Sequence, residues 1–487
     1  MSGNVSDISL VPSVSESARE TFIRQVLDRT PLANVVLSLQ AYVLAPTLLD
    51  DLFDRYRGQN YQDLLTFPTL VQILADALQR YRGSARQSLL QAEKERTLPT
   101  TPRAFYGKLS RVPLELSQAL VATTEVRLRE LLPPIEAQSL PPSVKGLQVY
   151  MLDGKKTKRV AKRLRATRGQ AGQLFGGKLL VAWQPRTGLV LAMAAHPDGE
   201  KNDCPLVPAL LPQVRHVLAG PRLAVADRQF CDLVQMQRFT EGNDHFLIRY
   251  HPKVHFHADP ARPAKESQDR QGRTVVDEWG WLGAANHPGR RYVRRITLNR
   301  AGEEDVSLVT DLLDDAAYPA NDLLDVYLIR WGIERVFQKI TEVFGLQQLI
   351  SSTPEGTVFQ AAFCLVLYNM IQVIRGYVAT LQDEPLAVED VSTEMLFRDV
   401  RDQLSALMLM AEPDELISRI PQTRTKEQMV ALLTGTLRNR WERSWRKAVN
   451  KKPRPRVAQA KGSGAHTSVH RLQEKHRREH GSARRQP

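Results

Sequence analysis

The 487-residue sequence predicts an α/β protein with helical regions at both ends, and three observations carry that prediction. Between residues 146 and 250, short β-branched and aliphatic runs alternate with helical stretches, the pattern of an α/β core. Residues 18–145 and most of 382–450 read as helical instead. Residues 251–305, rich in Arg, His and Pro, break the alternation, and their segments DEWGWLG and RRYVRRITL suggest a small β insertion.

The elements follow in order. The first 18 or so residues are polar, and helices are expected over 18–27, 34–44, 47–57, 69–81 and 114–131. The fourth places Leu70, Ile73, Leu74, Ala77 and Leu78 on one face. Residues 102–110 and 113–131 could form a helix-turn-helix, although no recognition helix stands out. Four prolines within 131–143 read as a linker. GLQVYML (146–152) is a β-type run ending in Asp153-Gly154, and 178–184 with 188–195 form a hairpin around Pro-Arg-Thr-Gly. A helix over 205–218, a buried strand RLAVAD (222–227), a helix near 231–239 and a strand at 245–250 follow. Residues 306–314 resume the core, and 320–345 read as one helix. The apolar helix 355–381 is most simply a buried support behind it. These assignments divide the chain into 1–145, 146–250, 251–305, 306–381, 382–450 and a basic tail, 451–487, expected to be disordered without a partner.

Charge narrows the function. The formal net charge is +14, and the excess is clustered. From residue 440 to the end stand 15 Lys/Arg against 3 Asp/Glu, and 155–168 carries 8 Lys/Arg and no acid. That second block includes Lys155, Lys156, Lys158, Arg159, Lys162 and Arg163. Clustered positive charge is the footprint of a polyanion-binding protein, with nucleic acid ahead of an acidic membrane surface. The block is read as contacting DNA backbone, a solvated basic helix being the alternative. No apolar run approaches the roughly 18–20 residues of a membrane span, and the N-terminus has no export signal. Cys204, Cys231 and Cys364 make neither a disulfide framework nor a zinc pattern, which fits a reducing cytoplasm.

Three acids could carry chemistry. Asp153 and Asp227 each stand where a predicted strand runs out, at the carboxyl edge of the sheet where α/β ligands bind. Taken singly, either is as easily a turn or helix-capping residue. On the predicted helix 320–345, Tyr327, Arg330 and Glu334 fall within an arc of roughly 60°. An Arg–Glu pair four apart is also a common surface ion pair. Together the three carboxylates would repel one another, and a hard divalent cation completed by substrate phosphates would resolve the repulsion. Trp279, Trp281 and Trp331 could stack on an unpaired base, although buried or surface aromatics are the commoner outcome. His251, His255 and His257 read as insertion-surface residues, not a zinc site.

The order LDG, then VADRQF, then Tyr327-x2-Arg330-x3-Glu334 resembles the DDE transposases of bacterial insertion sequences, most nearly the insertion-sequence-four branch that includes the transposon-five enzyme. The resemblance covers about 146–380 and includes the Asp227-Arg228 pair and the spacings of 74 and 107 residues between successive acids. It implies a ribonuclease-H-like core interrupted by a β insertion, with Asp153, Asp227 and Glu334 holding Mg²⁺ or Mn²⁺. Tyr327, Arg330 and Arg228 would then contact DNA. The implied activity is cut-and-paste transposition: a homodimer binds the inverted-repeat ends, cleaves them and joins the 3′-hydroxyls to target DNA. One departure stands out, because the family's Lys seven residues after its Glu is here Thr341. Helical geometry turns the nearby Lys339 about 140° from Glu334. A metal-dependent nuclease and a non-catalytic DNA-binding relative therefore stay open as alternatives.

Overall fold

The computed structural model describes residues 16–135, 138–410, 425–447 and 467–480. Seven helices come first: α1 (Glu16–Arg29), α2 (Pro31–Val43), α3 (Pro46–Tyr56), α4 (Phe67–Gln79), α5 (Ala85–Lys94), α6 (Pro102–Leu109) and α7 (Leu114–Arg129). Their starts are written locally. Thr66, Ser84 and Thr101 each accept a backbone N–H three residues on, and proline opens α2, α3 and α6, where its missing N–H costs nothing. Helix α5 was not anticipated from the sequence. It is short and polar outside, and only its Ser84 cap marks it.

A mixed sheet of ten strands follows. In chain order the elements are β1 (Gln148–Lys156), the two-residue β2 (Leu174–Phe175), β3 (Lys178–Trp183), β4 (Val190–His196), α8 (Val207–Val217), β5 (Arg222–Ala226), α9 (Leu233–Arg238) and β6 (Asp244–Arg249). Then come β7 (Phe256–Ala258), β8 (Lys265–Gln268), β9 (Thr274–Leu282), β10 (Arg291–Leu298) and β11 (Val306–Thr310). Across the sheet the order is β4-β3-β1-β5-β6-β11-β10-β9-β7, with β8 also on β9. Strands β1, β5 and β6 run parallel, and the remaining neighbours are antiparallel. The expected β insertion is joined to the main sheet, because residues 294–298 of β10 pair with the whole of β11.

Strand alternation sorts β1 onto two cores. Val149 and Met151 face the larger one, shared with α7 and the later helices, whereas Tyr150 and Leu152 face the smaller one under α8. Helices α10 (Ala320–Ile329), α11 (Trp331–Glu342), α12 (Pro354–Thr380), α13 (Thr393–Met410) and α14 (Lys426–Leu437) complete the larger core, into which α1–α7 also pack. Helix α12 is long and apolar enough to cross a membrane, but its apolar window is wholly buried inside the fold. It is the central post against which α7, α11 and α13 pack. Its Asn369 accepts from the Val190 N–H (2.8 Å) and donates to the Val190 carbonyl (2.8 Å), satisfying the edge of β4 as a neighbouring strand would.

Three expectations are corrected. Strand β1 does not stop before Asp153, because its antiparallel pairing with β3 carries it on to Lys156. The helix expected over 320–345 is two helices, α10 and α11, parted at Arg330, where the backbone bonds tighten to three-residue closures: Arg330 N–H to the Tyr327 carbonyl and Ile333 N–H to that of Arg330. The basic tail is not wholly without structure. Thr467–Ser468 forms strand β12 parallel to β2, and α15 (Val469–His480) follows it. The apolar side chains of Val469 and Leu472 supply the reason, since they close a small core with Val160, Leu164 and Leu174. The rest of 451–487 lies outside the described residues.

Candidate active site

Asp153 and Asp227 are brought together by strand register. The parallel β1–β5 ladder ends with Met151 opposite Val225, and Asp153 and Asp227 follow two residues beyond that pair. The two carboxyls are close enough for Asp227 to raise Asp153, and both lie within reach of the Arg330 charge. The Asp153 Oδ1 accepts the Gly154 N–H (2.8 Å), and the Asp227 Oδ1 accepts the Gln229 N–H (3.0 Å). Burial pushes the Asp153 carboxyl up to about 7, with Asp227 and Glu334 adding to the rise. Burial raises Asp227 as well, with Asp203 adding to it.

Arg330, at the α10–α11 break, answers this charge. Its guanidinium lies 3.8 Å from Asp153 Oδ2 and donates to Glu334 Oε1 at 3.3 Å. Only 7% of Arg330 is exposed, and its Nε finds no acceptor among the described residues. Tyr327 is buried beneath it, with the guanidinium 5.5 Å from the ring centre. Glu334 is half-exposed, at 41% of its side chain. Helix α11 reaches the sheet closely because Gly332 lies on Trp183 of β3, and a Cβ there would come within 2.5 Å of the indole.

Beneath the two Asp residues lies a buried set that sequence reading did not single out. Asp203 forms an ion pair with Lys178 of β3 and accepts from the Gln229 side chain, whose backbone N–H holds Asp227. Asp203 and Lys178 are 3% and 6% exposed. The signal available in the sequence was Gly154: a Cβ there would meet the Asp203 carboxylate at 2.2 Å, so the residue after Asp153 must be glycine. A Lys and an Asp 25 residues apart carry no such mark.

The other expected contacts are dispersed. Arg228 pairs with Glu304, which also holds Arg249 at 3.2 Å, so it is turned toward the β10–β11 connection. Thr341 donates to the Phe337 carbonyl of its own helix (2.6 Å). Lys339 stands over the Tyr368 ring, and burial, with Arg375, Lys447 and Arg335 nearby, lowers it to about 7. Lys155 and Lys156 end β1, over the rings of Phe337 and Phe175. Lys158, Arg159, Lys162 and Arg163 are exposed on the loop that follows, which contains only a single 3₁₀ turn and not a basic helix. Trp279 is fully buried, whereas Trp281 and Trp331 are 38% and 53% exposed.

As placed, no three His, Cys, Asp or Glu side chains among the described residues are grouped closely enough to hold a metal ion. The donor chemistry nonetheless suits a hard divalent cation. Two partly buried carboxylates lie near each other, burial and their mutual charge disfavour ionisation of Asp153, and Glu334 of α11 adds to that effect. A cluster of carboxylates answered by one arginine, at the end of parallel strands in a mixed α/β sheet, defines a site suited to phosphoryl chemistry.

Comparison with known proteins agrees with that class. Residues 146–370 match the family model described as the transposase DDE domain, a span that contains all three acids. A solved piggyBac transposase synaptic complex with hairpin DNA is 10% identical and covers 80% of this chain and 85% of its own, with a TM-score of 0.39. At that score the likeness carries no argument about this chain. No curated protein matches the sequence.

Proposed function

We propose that this chain is a cut-and-paste DNA transposase of the insertion-sequence-four type. It would bind the inverted-repeat ends of its element as a homodimer in the cytoplasm, cleave them, and join the 3′-hydroxyls to target DNA. The observation that carries the reading is the approach of Asp153 and Asp227 just past the end of the β1–β5 ladder, beside an arginine shared by Asp153 and Glu334. The order β4-β3-β1-β5-β6, with its two parallel pairings, supports a ribonuclease-H-like core, and β7–β10 occupy the place of the insertion.

Asp153, Asp227 and Glu334 would hold Mg²⁺ or Mn²⁺, which when bound activates an attacking oxygen and stabilises a leaving one. The chain's own residues do the rest. Arg330 brings a fixed charge to the site, so a phosphate oxygen beside its guanidinium meets a cationic partner. Tyr327 supports that guanidinium from below. Partial burial of Asp153 and Asp227 strengthens the charge interactions there. The basic loop after Asp153 tracks the DNA backbone.

Glu334→Ala should abolish Mg²⁺-dependent nicking and strand transfer while end binding stays within a few-fold, since phosphate contacts dominate affinity. Nicking at the parent rate would sink the assignment. A second reading, a DNA-binding relative that does not cut, is favoured only by Thr341, whose hydroxyl is engaged in its own helix. In the same assay it predicts a parent chain that binds ends and leaves them whole, and a nuclease would cut without joining.

A further inference from the structure

We infer that the C-terminal segment 467–480 is a latch that fixes the basic loop between β1 and β2 as a phosphate-gripping surface beside the acidic site. The inference rests on the reading of the chain as a DNA-binding protein. The loop begins four residues after Asp153 and presents Lys158, Arg159, Lys162, Arg163, Arg165 and Arg168 to solvent. No ion pair joins any of these six to a carboxylate among the described residues. Arg228, Arg249, Arg294 and Arg295, by contrast, each have an acidic partner. A run of cations left without counter-ions is costly to hold together and is a surface prepared for a polyanion.

The loop's two ends are tied to the fold: Thr157 bonds with Gly176 and Gly177, and the Val160 N–H donates to the Leu174 carbonyl. Between them its support is sparse: the Lys162 amine on the Gln170 carbonyl, the 3₁₀ turn at Arg165–Thr167, and Arg163 donating to the Ile350 carbonyl at 3.4 Å. The C-terminal segment adds to these. Strand β12 pairs with β2 at the loop's far end, Thr467 beside Leu174 and Ser468 beside Phe175. Val469, fully buried, packs with Val160 and Leu174, and Leu472 packs against the same cluster with Leu164. Ser468 Oγ accepts the Gly199 N–H at 3.2 Å. Arg471 then anchors the helix to the main fold, donating to Asp198 at 2.8 Å and pairing with Glu200. Two hydrophobic residues and one arginine thus tie α15 to the irregular stretch that follows β1. The helix adds a smaller positive surplus, four Lys/Arg against two Glu: Lys475 and Arg478, 71% and 83% exposed, stand 3.8 Å and 3.7 Å from Glu479 and Glu474 of the same helix.

The latch is separable from the charge it carries. In the full-length chain, Val469→Asp puts a carboxylate into the small core and keeps every Lys and Arg. Arg471→Glu, at a half-exposed position that the rest of the fold tolerates, breaks the anchor, and adding Asp198→Arg restores an ion pair of reversed sense. Trypsin, which cuts after the loop's own cations, reads the loop without any DNA. Cleavage within 157–175 should become about tenfold faster in Val469→Asp and Arg471→Glu and return toward the parent rate in the reversed pair. Affinity for a short duplex of arbitrary sequence should fall by about tenfold in the same two variants, with a shallower dependence of log K on log salt. A loop as resistant in both variants as in the parent overturns the latch. A loop that opens with duplex affinity unchanged overturns its role in gripping phosphate. If the parent itself ignores duplex DNA at low salt, the proposed function fails with that role, and the trypsin result still separates the two.

Discussion

Asp153 gathers the largest electrostatic consequence of the site into one carboxyl. Its ordinary value near 4 is raised by burial to about 7, so the folded chain holds a proton there that the unfolded chain has released. Between those values the folded state binds more protons, and stability must fall as pH rises from about 4 to about 7. Asp153→Asn removes the titration. Without divalent metal, we expect the variant to melt about 1–2 °C above the parent at pH 8 and level with it near pH 4, read by thermal denaturation across the pH range. Equal melting at pH 8 would contradict the buried placement. Directly below, Lys178 and Asp203 test a different principle. Asp203→Ala leaves a buried ammonium unanswered and should cost about 3–5 kcal/mol, whereas the double change with Lys178→Met should recover most of the loss. Urea titration of the three proteins measures the coupling. If the double variant also regains nicking, the pair is only structural; if stability returns without activity, Gln229 needs Asp203 to hold Asp227 in place.

At the scale of elements, α11 is set by one small residue. Gly332 lets the helix touch Trp183, and the indole cannot retreat, because its Nε1 donates to the Gly188 carbonyl at 2.9 Å within a packed core. Gly332→Ala should therefore move α11 outward, carry Glu334 away from the Asp pair, and lower cleavage by about 10²-fold while duplex affinity changes little. Unchanged cleavage would mean that the helix adapts without displacing Glu334. The elements also show what the sequence could tell. The runs GLQVYML and RLAVAD were legible as two buried strands, and the structure makes them parallel neighbours whose ladder ends two residues before Asp153 and Asp227. The 3.6-residue period over 320–345 likewise located both helices of the Glu334 region, but periodicity continues through a tightened turn, so the break at Arg330 left no trace. Register explains what the sequence left open. That β10 pairs with β11 and so joins the insertion to the main sheet depends on hydrogen bonds between distant segments, which local propensity does not record. The buried Lys178–Asp203 pair was hidden for the same reason: its partners meet only in three dimensions. The basic tail misled through composition, since two apolar residues amid many cations were enough to dock a helix.

For the whole molecule, the larger core runs without interruption from α1 through the sheet to α14, so the N-terminal helices are not an appended module. A chain starting at residue 146 would expose the faces of α12 and β4 that α7 covers. We expect such a truncation to be insoluble, and the full chain to lose its helical and sheet signals in a single thermal transition; two separate transitions by circular dichroism would refute the shared core. The same architecture decides how copies of the chain meet. A ten-strand sheet has two open margins, each a template onto which another chain's backbone can grow into fibrous aggregates. At the β4 margin, Asn369 impersonates the absent next strand, offering Val190 both an acceptor and a donor from a helix that cannot propagate the ladder. At the opposite margin the outermost pieces, β7 and β8, are only three and four residues long. Self-association through sheet growth is thus discouraged at both margins of the sheet.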